Sequence, residues 1–222
     1  MSATTRDRPI SPAEPAASCL RRAILRRLSW LPVAGIVAVS AIVVPAVVGA
    51  RVGFHLRHPD ADPSIYLTIS RAISDPVIGE PFAFWVTLAA LILWPSTHAI
   101  LWMLSAEHPS RAVLGATRDH LCRLLLAVMS VAMTATCVGM VMLGRHRLGG
   151  SAEDHHLHML GSYVFFAGQA TTILLAAIYH SAIVPARRAL GETAIVSARS
   201  RARLGYAVVG AAVLYGVVFH VK

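Results

Sequence analysis

Long apolar runs alternate with short arginine-bearing segments along this chain, and that alternation limits its possible folds more than any other feature. The runs are Trp30–Val52, Phe82–Ala106, Cys122–Gly144, Met159–Val184 and Leu204–Val221. About 20 predominantly apolar residues are needed to cross the hydrocarbon core of a bilayer. The first four meet that length, and the fifth, with 18 residues, barely does. Only 14% of the residues are charged, against about 25% in soluble domains, so lipid is the expected solvent. The first run starts at position 30 and is longer than the roughly 7–15-residue core of a secretory signal. It reads as a retained helix. The expected fold is therefore all-α, an integral membrane bundle of five transmembrane helices spanning residues 30–222.

The basic residues set the expected orientation. Arg6, Arg8, Arg21, Arg22, Arg26 and Arg27 precede the first run; Arg111 and Arg118 lie between the second and third, with Arg123 just inside the third; Arg187, Arg188, Arg199, Arg201 and Arg203 lie between the fourth and fifth. These alternate segments hold 14 basic residues and the other side holds 6. The positive-inside rule places the N-terminus in the cytosol. Nineteen of the twenty basic residues are arginines flanking apolar runs, which makes the charge topological and argues against nucleic acid as a partner. Residues 1–29 form a separate cytosolic segment: a Pro-, Ser- and Ala-rich tail to about residue 17, then the basic amphipathic stretch "CLRRAILRRLSW". Arg21, Arg22, Arg26 and Arg27 are its candidate contacts to anionic lipid head groups, although topology control alone also explains them. The cysteines, Cys19, Cys122 and Cys137, have no paired spacing and read as small apolar packers.

The first outer connection, Gly53–Pro81, is long and mixes acids, histidines and arginines around a half-apolar middle at Ile65–Ile73. Connections of this length are often functional, and the middle is expected on the membrane surface or folded back over the helices. Within it, "YLTISRAISDPVIGEPFAFW" (Tyr66 to Trp85) resembles the first luminal loop of DRAM/FRAG/SFK-type membrane proteins, with Ile69, Ser70, Pro76 and Phe82 at the corresponding places. The stretch "CVGMVMLGRHRLGGSAEDHHLHMLGSYVFFAGQ" resembles that family's third span, short loop and fourth-span entrance, with His158 and Gly161 matching. The resemblance covers about residues 30–222 and implies a role in membrane lipid handling, such as remodelling GPI-anchor lipids, or in autophagy-type regulation. It also implies residence in the plasma membrane or in an endomembrane such as the Golgi or endoplasmic reticulum. Family members have six spans, so a chain ending after a fifth reads as a fragment or as a member lacking the last helix.

The segment "SAEDHHLHMLGSYVFF" (Ser151 to Phe166) presses three histidines and two acids against the fourth run. As a helix entrance it is self-explanatory, because Glu153 and Asp154 suit the positive end of a helix dipole. Zinc binding would use His155 and His158 with Asp154 or His55, but there is no clear fourth ligand and no HExxH. A b-type haem reading would pair His98 with His180 and His158 with His220. A buried neutral His98, bonded to Ser96, Thr97, Tyr179 or His180, is the simpler expectation. The acid/base reading makes His158 a carboxylate-oriented imidazole beside Asp154, or beside Asp75 and Glu80, with Ser70 as nucleophile or head-group ligand. His158, Asp154 and Ser70 are accordingly the candidate catalytic residues, with no metal assigned and the cofactor unknown. Expected partners are membrane lipids and other membrane proteins. A second reading is a non-enzymatic scaffold acting through Arg187, Arg188, Arg199, Arg201 and Arg203. Gly139, Gly144, Gly161, Gly168, Gly210 and Gly216 are expected to allow close helix approach, and Pro45 and Pro95 to kink their helices.

Overall fold

The computed structural model describes residues 30–61, 68–106, 108–109, 111–148, 150–187 and 192–220; at 111, 187, 192–195, 212 and 215–220 only the backbone is described. The candidate lipid contacts Arg21, Arg22, Arg26 and Arg27 lie outside the described residues, as do Tyr66 and Arg188. The elements in chain order are α1 (Trp30–Arg57), the short α2 (Ile69–Ala72), α3 (Pro76–Ala106), the short α4 (Arg111–Leu114), α5 (Ala116–Arg145), α6 (Ala152–Arg187) and α7 (Glu192–His220). No strand occurs among the described residues. Four helices, α1, α3, α5 and α6, are long and apolar enough to cross a membrane. The chain is an all-α integral membrane protein. Residues 204–220 of the fifth apolar run lie in α7, which is helical to His220.

Every long helix extends beyond the apolar run that announced it. The 31 residues of α3 measure about 46 Å at 1.5 Å per residue, against a hydrocarbon core of about 30 Å. Helical hydrogen bonding therefore continues into the polar interface, where hydropathy no longer marks it. The first connection shrinks accordingly, from the expected Gly53–Pro81 to residues 58–75. The last part of that connection folds onto the helices: Ala72 and Ile73 are fully buried, in one cluster with Ala50, Phe54, Ile78, Phe82 and Val86. A second cluster, Cys122, Leu125, Leu126, Met129, Tyr179 and Ile183, occupies the opposite end of α5 and α6. Cys122 and Cys137 are buried free thiols within these cores.

The long helices pack mainly in chain order, α1 on α3, α3 on α5, α5 on α6 and α6 on α7, so α1 and α7 form the two edges of the array. Apolar side chains such as Val33, Val37, Val44 and Val48 face outward from α1, at no cost where the surroundings are lipid tails. The backbones of α5 and α6 approach closely, and glycine makes it possible. A methyl group built at Gly139 would come within 2.5 Å of the Phe165 nitrogen, one at Gly161 within 2.7 Å of the Leu143 nitrogen, and one at Gly168 within 2.8 Å of the Ala132 carbonyl oxygen. A methyl group built at Gly210, expected to serve the same purpose, meets nothing within 4 Å, and the surroundings of Gly216 lie outside what is described. Pro45 and Pro95 both stand inside continuous helices. Ser96, Thr97, Thr136 and Thr172 each donate to the carbonyl four residues earlier, which satisfies their hydroxyls within their own helices.

Candidate functional site

One end of the array collects the C-terminus of α1, α2, the N-terminus of α3, the α5–α6 connection and the start of α6. The sequence fixes the last of these through a reciprocal cap. Ser151 Oγ accepts from the Asp154 backbone N–H at 3.1 Å, while Asp154 Oδ2 accepts from the Ser151 backbone N–H at 3.2 Å and from its hydroxyl at 2.9 Å. This is a capping box with Asp in the usual Glu position. The other oxygen of Asp154 accepts from His146 Nδ1 at 2.9 Å. His146 is the residue that ends α5, its own N–H donating to the Met142 carbonyl. Asp154 therefore ties the end of α5 to the beginning of α6.

That tie places the His146 carbonyl over the first turns of α6, where His158 lies. His158 is 0% exposed. Its Nδ1 is 2.8 Å from the His146 carbonyl oxygen and its Nε2 is 3.0 Å from Ser70 Oγ. A carbonyl only accepts, so Nδ1 carries hydrogen; in the neutral ring Nε2 is then the acceptor for the Ser70 hydroxyl. Ser70 itself is half-buried in α2. That short helix is held by Thr68, whose hydroxyl oxygen accepts from the Arg71 backbone N–H at 3.2 Å, and by Ser74, whose hydroxyl donates to the Arg71 carbonyl at 2.7 Å. The pair joins residues 88 positions apart. The more accessible member is the serine and the enclosed member is the imidazole.

Two of the three candidate catalytic residues thus meet, and the third serves them at one remove. Asp154 was expected beside the His158 ring, but it holds the His146 ring, and a backbone carbonyl orients His158 instead. Asp75 and Glu80, the other carboxylates considered, are also engaged elsewhere. Asp75 accepts from Arg57 Nε at 2.9 Å and contacts His58 Nε2 at 3.1 Å, and its second oxygen accepts from the Val77 N–H. It therefore caps α3, whose first residue is Pro76, a position where proline's missing N–H costs nothing. The Arg57 guanidinium is the main reason that the Asp75 carboxyl falls from 3.8 to about 2; partial burial opposes the shift. Glu80 pairs with Arg147 at 3.3 Å.

His98 is held by neighbours on α3 and α5. His98 Nδ1 donates to the Trp94 carbonyl at 2.7 Å and its Nε2 lies 3.4 Å from Thr134 Oγ1, rather than meeting Ser96, Thr97, Tyr179 or His180. With both His158 nitrogens engaged by protein atoms, that ring has no lone pair turned toward a zinc or haem site, and the side chain of His220 is not described. His155 and His156 are exposed, and no group of three potential metal ligands assembles among the described residues. Sequence reasoning missed a polar cluster at the opposite end of the array. There Asp119, 4% exposed, accepts from Arg123 Nε at 3.0 Å and pairs with His108 Nε2 at 3.0 Å, while His108 Nδ1 lies 3.3 Å from Tyr179 Oη. The Asp119/Arg123 spacing of four was its readable signal. Tyr179 also donates to the Leu104 carbonyl, so this cluster staples the end of α3 to α5 and α6.

The fold and site together define a multi-helical integral membrane protein with a Ser–His pair at one end of its spans. No protein family, curated protein or solved structure matches the chain.

Proposed function

We propose that this protein handles membrane lipids, with Ser70 as the nucleophile and His158 as the general base in acyl transfer from, or hydrolysis of, a lipid ester. The Ser70 Oγ to His158 Nε2 contact of 3.0 Å carries the reading, because a serine hydroxyl becomes a useful nucleophile when an adjacent base takes its proton. In the first step Ser70 Oγ attacks the ester carbonyl carbon as its proton passes to His158 Nε2. The tetrahedral intermediate collapses with cleavage of the bond to the lipid alcohol, and His158 returns the proton to the departing oxygen. Water or a second lipid alcohol then attacks acyl-Ser70 with the same relay, releasing fatty acid or acylated lipid and regenerating both residues. The His146 carbonyl keeps Nδ1 protonated and so supports the imidazolium that forms, a task an orienting acceptor performs in other base–nucleophile pairs. His158 lies six positions into α6, about 9 Å along the helix from Ala152, a depth compatible with the ester region between head groups and tails.

The topology proposed with this role has five crossings, α7 supplying the fifth, with a cytosolic N-terminus and the Ser–His pair on the opposite surface. Its support is the 14-to-6 distribution of basic residues and the apolar run Leu204–Val221 within the α7 region. The resemblance of the chain's short motifs to those of DRAM/FRAG/SFK-type proteins favours lipid remodelling as the setting. The test is ester turnover by the full chain in proteoliposomes carrying fluorescent-acyl phospholipid. Turnover that disappears in Ser70→Ala supports the assignment, and equal turnover in the two proteins refutes it.

A further inference from the structure

We infer that a groove between α1 and α3 is a binding site for one acyl chain of a phosphate-bearing membrane lipid. The cavity has a volume of about 520 Å³ and is lined entirely by nonpolar residues and glycine, within the roughly 300–1,000 Å³ range of small-molecule sites. Its walls are two rows at four-residue spacing: Ala41, Pro45 and Gly49 on α1, and Val77, Pro81 and Trp85 on α3. Residues four apart lie on one helix face, and on α1 that face carries only small or ring-closed side chains. They cannot fill the space between the helices, although the neighbouring positions Ile42, Ala46, Ala50, Ile78 and Phe82 pack the floor.

The dimensions select the occupant. Each row spans eight residues, about 12 Å at helical rise, close to the roughly 15 Å depth of one leaflet's hydrocarbon. Packed helices have axes about 8–10 Å apart, so a furrow between two of them admits an alkyl chain, whereas another helix is about 10–12 Å across. Water has no partners along such walls. The upper end is closed by charge: Arg57 and His58, at the end of α1, meet Asp75 immediately before α3. Arg57, 49% exposed, donates through its Nε to Asp75, and the Nη groups of the same planar guanidinium are donors of the geometry that suits a lipid phosphate. The inference stands on this groove and does not require Ser70 to be reactive.

The experiment places the full chain in nanodiscs containing a phospholipid tracer with a photoactivatable diazirine in mid-chain, and maps adducts by mass spectrometry. Adducts concentrate on peptides containing residues 41–49 and Trp85. Gly49→Leu projects into the groove without a clash, since a methyl group built at Gly49 meets nothing within 4 Å; it lowers that labelling at least fivefold, as does Ala41→Leu at the far end. Leu91→Phe, on the exposed surface of α3 outside the groove, leaves it unchanged. Adducts spread evenly over α1 and α3, labelling indifferent to Gly49→Leu, or crosslinks between two copies in place of lipid adducts would each overturn the assignment. Ser70→Ala retains groove labelling, so failure of the Ser–His chemistry and failure of the groove register separately.

Discussion

Replacing His158 separates holding from chemistry, because the ring does two measurable things. It fills a fully buried site and it bridges two elements distant in sequence. His158→Ala removes the ring volume and leaves the Ser70 hydroxyl and the His146 carbonyl without this partner. A large-to-small substitution in a core costs about 2–5 kcal/mol, and a buried polar group deprived of its partner about 1–3 kcal/mol. Allowing for relaxation and partial rehydration of Ser70, the net loss is about 3–5 kcal/mol. His158→Gln is the instructive comparison. Its amide NH2 can donate to the His146 carbonyl and its amide oxygen can accept from Ser70, so the loss is about 1 kcal/mol. For a chain of this size each kcal/mol moves the melting temperature by about 2–4 °C. Thermal unfolding of purified protein in detergent should show a drop of about 10 °C for His158→Ala and about 3 °C for His158→Gln. Equal melting temperatures for the two variants, both close to the wild type, would refute the claim that this imidazole fastens α2 to α6.

Gly139→Leu drives a side chain into Phe165 and the Gly161 carbonyl; overpacking of about 1–3 kcal/mol should lower the melting temperature, whereas Gly210→Leu, with open space, should not. The Asp75 carboxyl is held at about 2 against an ordinary 3.8, so its ion pair contributes fully above about pH 4 and is lost as pH falls through about 2. The melting temperature of the wild type should therefore fall over that window, while Asp75→Asn, lower at neutral pH, should lack that component; parallel curves would contradict the assignment. Glu153→Cys, exposed beside the site, placed in a background lacking Cys19, should react with a membrane-impermeant maleimide added outside intact cells that carry the protein in their plasma membrane. Protection until lysis would reverse the proposed orientation.

The long helices were legible because apolar length is a one-dimensional property of the chain. Their ends were not, although local signals existed: Asp75-Pro76 spells an N-cap followed by a first-turn proline, and Ser151 with Asp154 spells a capping box. Ser70 and His158 could be singled out as residue types, but their meeting depends on α2 folding back against α6. The partner of Asp154 was hidden for a different reason. The acceptor that orients His158 is a backbone carbonyl, and any residue at position 146 would provide one. What marks it is the end of α5, and hydropathy leaves that boundary blurred. The cluster of His108, Asp119 and Tyr179 was hidden similarly, since it unites three separate elements. Close packing at Gly139, Gly161 and Gly168 was readable from residue size, but Gly210 shows that small size permits close approach without requiring it.

The central claim is that His158 makes Ser70 nucleophilic at one end of the membrane spans. The direct measurement is the site and rate of modification of the full chain in proteoliposomes by a fluorophosphonate, with the adduct located by mass spectrometry. An adduct is expected on Ser70, absent in Ser70→Ala and formed at least 100-fold more slowly in His158→Gln, in keeping with the roughly 10²–10⁴-fold contribution of a positioned base. Modification elsewhere with Ser70 untouched, or modification of Ser70 at the same rate when glutamine replaces His158, would contradict it.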